Sequence, residues 1–301
     1  MTRLHARWSA RWGARLAFGT LAALLIAALA APWLAPFAPN AQLDPVLLAW
    51  QAPSLAHPFG TDSFSRDVMS RMLHGARTTL GIALLAVLVS MSLGTAIGAA
   101  AAIARGWGDA ILMRLTDAML AIPRLLLLML VVATFGALDN AALAVVLGAT
   151  GWMTTSRLVR QETRRLLATE HLRGARALGV PWPRLLGRHL LPSLAPTLAV
   201  AATIAFASAV PLESGLSFLG LGVRTPLPSW GNILSEAESR PLQYWWLTLF
   251  PTLAIATTVI AANRLAEAFG ARLRDGERAR ERDSGTDGEG ERGGPDEGRT
   301  T

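Results

Sequence analysis

The chain has 301 residues, 52% of them hydrophobic and only 16% charged, with a positive mean hydropathy of 0.37. A soluble domain of this length needs more polar surface, so the composition places the chain among membrane proteins. Its formal charge of +7 is no sign of a nucleic-acid partner, because the arginines stand mostly between apolar runs, as membrane topology requires. With no cysteine there is no disulfide, thiol nucleophile or thiolate metal site. Lysine is also missing, so there is no Walker A loop for ATP hydrolysis and no Schiff-base chemistry.

Six apolar runs follow in order, near 16–36, 78–104, 111–136, 140–159, 194–221 and 245–266. Each can supply the ~20 residues that a membrane-crossing helix needs. The first follows Arg3, Arg7, Arg11 and Arg15, which hold residues 1–15 in the cytosol. A basic start, an apolar core and Ala28-Leu29-Ala30 also suit a cleaved leader. The run continues through Trp33 and Leu34, however, which favours an uncleaved span. The inner loops are then 105–110, 160–193 and the C-terminal tail, and the outer connections are 37–77, 137–139 and 222–244. The 160–193 loop alone carries Arg160, Arg164, Arg165, Arg173, Arg176, Arg184 and Arg188, whereas the outer connections have fewer arginines with acids between them. An even number of spans puts both termini in the cytosol, and the arginine bias agrees.

The third run is the least regular. Arg114 and Asp117, three apart, are expected to pair on one helix face. Pro123 should break the helix, leaving the part before it at the inner interface, with Arg124 shallow enough to snorkel. Beyond Arg274 the chain has nine acids, five arginines and almost no apolar residue, a composition expected to be disordered. The organisation is therefore a cytosolic N-terminus (1–15), a first span and outer segment with an interfacial helix (16–77), a core of five spans including a loop at 169–193 (78–270), and a disordered cytosolic tail (271–301).

That loop, within TEHLRGARALGVPWPRLLGRHLLPSLAPTL at 169–198, carries a pattern of its own. Leu172, Ala175 and Leu178 share one side of a short helix, and Gly179 can end it in a left-handed conformation. Pro181 and Pro183 forbid continuation and suit a new helix start. A second helix, roughly Arg184 to Leu191, precedes Pro192. Positive-inside bias explains the arginines but not a helix, a glycine stop and a second helix. Residues 173–192 resemble the "EAA" loop of bacterial ABC importer permeases. Ala175, Gly179, Leu191 and Pro192 match, and His189 falls at the usual Ile position. Arg173 stands where Glu is usual, and Gly174 replaces the first Ala. The resemblance implies a coupling helix in which Arg173, Gly174, Ala175, Arg176, Ala177 and Gly179, with Leu191 and Pro192, dock into a cleft of an ATPase subunit. A base at Arg173 should change the charge of that contact.

Two further blocks narrow the resemblance. HPFGTDSFSRDVMSRMLHGARTTL at 57–80 is similar to the HPxGTDxxGRDVxSRxxxGxRxSL signature of the peptide and nickel permeases, C-type subunit, with Ser65 for the usual Gly and Thr79 for Ser. Here Gly60 permits a turn, and Asp62 or Ser63 can cap a helix. Val68, Met69, Met72 and Leu73 give that helix an apolar face, with Arg66, Asp67 and Arg71 elsewhere, so an interfacial helix leading into the second span is expected. The third block, ESGLSFLGLGVRTPLPSWGNIL at 213–234, resembles EAALSFLGLGxxPPxPSWGxML. Counting ~1.5 Å per residue from Ser193 puts Glu213 near the outer boundary, opposite in depth to Arg124. A translocation-path or outer-gate role for Glu213, Gly215, Ser217 and Gly220 competes there with simple structural pairing or exposure to outer water. The SFLGLG run reads as a re-entrant or capping element, with Gly215, Gly220 and Gly222 allowing close backbone approach. Trp230, Tyr244, Trp245 and Trp246 form an expected aromatic belt.

The histidines His5, His57, His74, His171 and His189 are scattered and have no zinc-ligand spacing. No nucleophile, base and oxyanion set is evident, so no cofactor, metal or enzyme activity is expected. The resemblance covers roughly residues 10 to 270. It implies an all-α integral membrane protein with six transmembrane helices and the type I ABC importer permease fold, in the bacterial cytoplasmic (inner) membrane. It also implies partners: a sister permease, two cytosolic ABC ATPase subunits and an extracytoplasmic solute-binding protein, in a family that carries peptides, glutathione or nickel. The alternative, an ATPase-independent secondary transporter or channel, needs coupling carboxylates inside its spans, and these spans are nearly bare of them.

Overall fold

Long apolar runs without period-two alternation favour helices, and the computed structural model, which describes residues 2–104, 106–136 and 138–290, contains no strand among them. The first run forms α1 (Thr2–Leu29) and the short α2 (Ala31–Leu34), with Pro32 in its first turn. α3 (Val68–Ala104) has 37 residues. At 1.5 Å per residue it is about 55 Å long, well beyond the ~30 Å hydrocarbon layer. The expected interfacial helix is thus not a separate element but the first turns of α3. Asp67, not Asp62 or Ser63, caps it, with the Ser70 amide donating to Asp67 Oδ2 at 2.8 Å.

α4 (Gly106–Leu120) and α5 (Arg124–Phe135) meet at 84° around the break before Pro123, the interruption that proline demands. α6 (Asn140–Ala149), capped by Asp139, and α7 (Trp152–Leu167) meet at 45° across Thr150 and Gly151. Four helical stretches are long and apolar enough to cross a membrane alone: Trp12–Leu29, Val68–Ala104, Trp182–Phe218 and Trp245–Ala271. Each bent pair, counted as one broken span, brings the total to six. The expected Arg114–Asp117 pair is replaced by a bridge between helices, from Arg157 of α7 to Asp117. Arg160 and Arg164 of the same helix converge on Asp109, so these two arginines, expected in an inner loop, instead join Arg157 in binding α7 to α4.

After α8 (Glu170–Ala177) and α9 (Trp182–Leu185), a π-turn (Leu186–Leu190) leads without a break into α10 (Leu191–Phe218). Pro192 therefore does not separate a second short helix from the next span. Proline lacks an amide and crowds the carbonyl four residues back. The widened turn, in which the Leu191 amide reaches the Leu186 carbonyl five residues away, absorbs both effects. α11 (Trp230–Ser235) closes the connection to α12 (Trp245–Gly290). The tail expected to be unstructured beyond Arg274 is thus helical up to Gly290; the membrane helix supplies the nucleus and the Arg, Ala and Glu residues at 277–282 propagate it, whereas nothing in the composition of 283–290 accounts for its last turns. The remainder of that tail, 291–301, lies outside the described residues.

α3 is the hub, packed against α1, α6, α7 and α10. Gly94 and Gly98 make a small-xxx-small face on it. A Cβ at Gly94 would stand 2.6 Å from the Thr155 Cβ, and one at Gly98 2.9 Å from the Val159 Cβ. These glycines let the α3 and α7 backbones touch, the usual means of joining helices in lipid. The ends of α3 define two poles of the molecule. Val68 and Met72 enter a core with Trp230, Ile233 and Trp246 at one end, and Ala99 enters a core with Val159, Leu172 and Leu185 at the other.

Candidate functional site

The arginine-rich pole is built around α8. Leu172 is buried among Ala99, Val159, Leu167, Leu185, Leu190 and Leu194, so this short helix is fastened to α3, α7 and α10 together. Its last turn ends as its sequence dictates. Gly179 has φ +75°, its amide donates to the Arg176 carbonyl at 3.0 Å, and the Val180 amide donates to Ala175 at 3.2 Å. Arg173, Gly174, Arg176, Ala177 and Gly179 are exposed and Ala175 is half-buried. Leu178 projects with 87% of its surface exposed. Arg176 lies over the Trp182 ring at 4.9 Å, bracing the turn between the two helices. Leu191 and Pro192, matched to the same motif, are the first residues of α10 and form the root of the element.

The opposite pole joins the other two motif blocks. Trp50 stacks on Tyr244, Phe59 stacks on Phe250, and Trp246 donates to the Thr61 carbonyl at 3.1 Å. Trp230 donates its ring N–H to Met72 and its amide to the Thr79 hydroxyl. The expected aromatic belt is therefore mostly core: Trp230 and Trp246 are 1% and 4% exposed, Tyr244 is half-buried, and Trp245 is the exposed member. A PSWG turn capped reciprocally by Ser229 and Asn232 holds Trp230 against α3.

Glu213 belongs to this structural frame. It is fully buried and accepts from Ser217 at 2.7 Å and Ser214 at 3.3 Å, with the Thr79 hydroxyl close by. Exposure to outer water is thus overturned in favour of a buried tie, and Arg124 is not its partner. Ser217 and Phe218 complete α10, and Leu219 and Gly220 turn the chain out of it, so the run caps the helix and forms no re-entrant helix. The glycines divide the expected labour. Gly215 has no close neighbour, Gly220 supplies a left-handed turn at φ +74°, and Gly222 packs directly on Ser217. Gly231 makes the comparable approach to Ser214.

Beside this frame lies an ionic cluster that the sequence did not reveal. Asp62 accepts from the Arg66 amide and from its Nε at 2.6 Å, and Arg71 also reaches it. Arg66 and Arg71 then bond Glu236 at 2.9 Å and 2.7 Å, a partner 170 and 165 residues away. His57 Nδ1 lies 2.9 Å from Asp67. Arg66, Asp67 and Arg71 are the charges expected away from the apolar face of that first helix. All three are buried, because the 37–67 and 222–244 connections fold over them.

Burial pushes the Glu236 carboxyl above its usual range, against the pull of Arg71 and Arg66. A carboxyl raised on folding favours the folded state while it is protonated and loses that contribution as pH climbs through the raised value. The Tm of the wild-type chain relative to Glu236→Gln is therefore expected to fall as pH rises from about 4 to 7, a window set by the ordinary Glu value and the direction of its shift. A constant difference across a thermal-unfolding series would contradict it.

Ser65 is a local compromise in the same pole. It sits at φ +57°, where the resembled signature has glycine, and its buried hydroxyl accepts from the Asp44 amide at 3.1 Å. Ser65→Gly loses that bond but relieves the left-handed strain, so the two effects nearly cancel. Ser65→Ala loses the bond and keeps the strain. The alanine variant should be less stable than the glycine variant by about 1–2 kcal/mol, read as a Tm difference.

Between the poles, α3, α5, α7 and α10 line a partly open cavity of about 130 Å³. Its apolar walls come from small and aliphatic residues, four of them alanine, and Ser90, Arg124, Thr154, Thr155 and Ser208 are the polar groups. None of Glu213, Gly215, Ser217 and Gly220 lines it. Arg124 does not snorkel outward as expected. It reaches across to the α6–α7 break, where Nη2 donates to the Leu147 carbonyl at 2.6 Å, because the bend frees that carbonyl from its helical partner. Pro123 signals the first break, whereas the second, at Gly-Ala-Thr-Gly 148–151, falls inside a run expected to be one span, and neither signals that Arg124 would fill it. Among the described residues no group of three or more His, Asp or Glu side chains could hold a metal ion.

These features define a class: a multi-pass helical membrane protein with a bent-helix core around a cavity, one sealed pole and one exposed helix–turn–helix. The chain belongs to the family of binding-protein-dependent transport system inner membrane components, whose model matches residues 92–275. It is 36% identical over 244 residues to a putative peptide transport system permease protein of Brucella suis, covering 81% of each chain, and 38% identical over 250 residues to a putative peptide permease protein of the same organism, covering 82% of each. A glutathione transport system permease protein of Pectobacterium atrosepticum is 37% identical over 218 residues, 72% of each chain. Among solved structures, the inward-facing MetNI methionine ABC transporter shares the fold, with a TM-score of 0.50 at 17% identity, over 67% of this chain and 97% of that one. The chain is accordingly a permease subunit with the ABC importer fold.

Proposed function

We propose that the chain forms half of the translocation path of an ATP-driven importer for peptides or a related small solute. Peptide and glutathione permeases among its relatives support that solute class. A sister permease completes the path, an extracytoplasmic binding protein delivers the solute to the sealed pole, and two cytosolic ATPases supply the energy. Both termini and the α8–α9 element lie in the cytosol, the arrangement favoured by the arginine bias.

The observation that carries the reading is the exposed α8–Gly179–α9 element, rooted by Leu172, Leu185 and Leu190 in the ends of three spanning helices. A partner gripping Leu178 and the surrounding arginines can move α3, α7 and α10 together, which is what rigid-body alternating access requires. The route for the solute passes the central cavity, and Glu213 and Ser217 hold the outer frame that the route opens against. Affinity purification of the tagged chain from its native membrane should recover an ATP-hydrolysing subunit and a second permease, and the recovered assembly in proteoliposomes should take up peptide only with ATP and the binding protein. Recovery without any nucleotide-hydrolysing partner, or uptake independent of ATP, overturns it.

A further inference from the structure

We infer that Arg124 makes the central cavity a carboxylate-binding subsite, which reads the terminal carboxylate of the solute as it passes; the solute part rests on the importer reading above. Arg124 opens α5 directly after Pro123 and enters the cavity where both bent spans break. Its acceptors are neutral: the Leu147 carbonyl at 2.6 Å and the Thr150 hydroxyl at 3.5 Å. A guanidinium has five donors, so most remain for another acceptor. No carboxylate pairs with Arg124 among the described residues.

Three further observations turn a stray cation into a site. Ser90, 2% exposed and lining the same cavity, has a buried hydroxyl with no hydrogen-bond partner. Gly151 makes room for both groups, since a Cβ there would stand 2.7 Å from Arg124 Nη2 and 3.2 Å from Ser90 Oγ. The remaining polar lining, from Thr154, Thr155 and Ser208, is uncharged. A cation among apolar walls and hydroxyls is costly unless an anion joins it, and the planar fork of arginine matches a carboxylate in two-point geometry. With about 130 Å³ available, the cavity accepts an end group with a few waters, not a whole peptide. The bland alternative is that Arg124 only caps α6. Capping accounts for the Leu147 bond but leaves the unpaired Ser90 and the missing counter-charge without a role.

The chain contains no cysteine, so Thr154→Cys places a single reporter thiol of this chain on the cavity wall of the assembled transporter. Its rate of modification is read by the chain's intact mass with an anionic methanethiosulfonate (sulfonatoethyl) and a cationic one (trimethylammonioethyl), each normalised to the neutral methyl reagent. The ratio of anionic to cationic rates should fall by about tenfold or more on adding Arg124→Gln and stay within about threefold of its original value with Arg124→Lys, as expected for a unit charge lining the same small cavity as the thiol. An unchanged ratio with glutamine, or equal collapse with both substitutions, overturns the subsite. In ATP-driven uptake at saturating binding protein, Arg124→Gln should reduce import of alanyl-phenylalanine about tenfold more than import of its C-terminal amide; equal losses again overturn it. Failure of the importer reading would show differently, as no ATP-dependent uptake of either peptide by the wild-type assembly, with the labelling ratios still reporting the charge of the cavity.

Discussion

Gly179→Pro is expected to reduce uptake by the assembled transporter to less than about a tenth while leaving insertion and subunit association intact. The native turn requires φ +75°, and proline is fixed near −65°, so the substituted turn cannot form. It also deletes the amide that donates to Arg176. Such an incompatibility costs about 3 kcal/mol or more, whereas 1.4 kcal/mol already shifts an equilibrium tenfold. The position has nothing within 4 Å of where a Cβ would stand, so the damage stays in the angle between α8 and α9 and does not reach the packed core. Gly179→Asn is the matched control: asparagine tolerates the left-handed region, and uptake should stay close to wild type. Normal transport by Gly179→Pro, measured beside equal membrane levels of both variants, removes the coupling role from this loop.

What the sequence disclosed follows from the range of the forces involved. Apolar run length, the Gly179 stop and the Pro123 break act within a few residues, so six runs, the short α8 and the kink before α5 were all legible. The seam between α3 and α7 has a local signature too, in the small-xxx-small spacing of Gly94-Thr-Ala-Ile-Gly98. Pro192 misled because its local effect can be absorbed in two ways, by ending a helix or by widening one turn, and only packing of Leu185, Leu190 and Leu194 into one core selects the second. The largest omissions are long-range pairings. Nothing near Arg71 signals Glu236, and nothing near Arg124 signals the Leu147 carbonyl. In both cases the sequence showed charges on an apparently open helix face or a shallow segment. The partner that buries them lies in a different part of the chain.

The two arginine systems also differ in the way that separates framework from site. At the sealed pole two carboxylates, Asp62 and Glu236, answer two guanidinium groups, and the cluster is closed in charge, although Arg71 Nε has no acceptor. In the cavity a single guanidinium meets only neutral acceptors. A closed cluster fixes geometry, and an open one has capacity for an additional ligand.

The closed cluster should therefore respond to mutation through stability. Arg71→Leu is expected to destabilise the chain by about 3–5 kcal/mol, because it strands two carboxylates in a buried setting with only Arg66 to share. For a domain of this size that corresponds to a fall in Tm on the order of 10 °C. The side chain of Arg71 is 2% exposed and bonds both acids, so solvent cannot replace what is lost. Removing the stranded charge should restore much of the deficit. Arg71→Leu with Glu236→Gln is expected to be more stable than Arg71→Leu alone, with a coupling energy of at least about 1 kcal/mol between the two positions. Thermal unfolding of the four proteins in lipid nanodiscs gives that coupling directly. Additive effects would mean that the 66–71 segment and the 230–236 turn are held together by Trp230 and Trp246 alone, and that the charges merely fill the space between them.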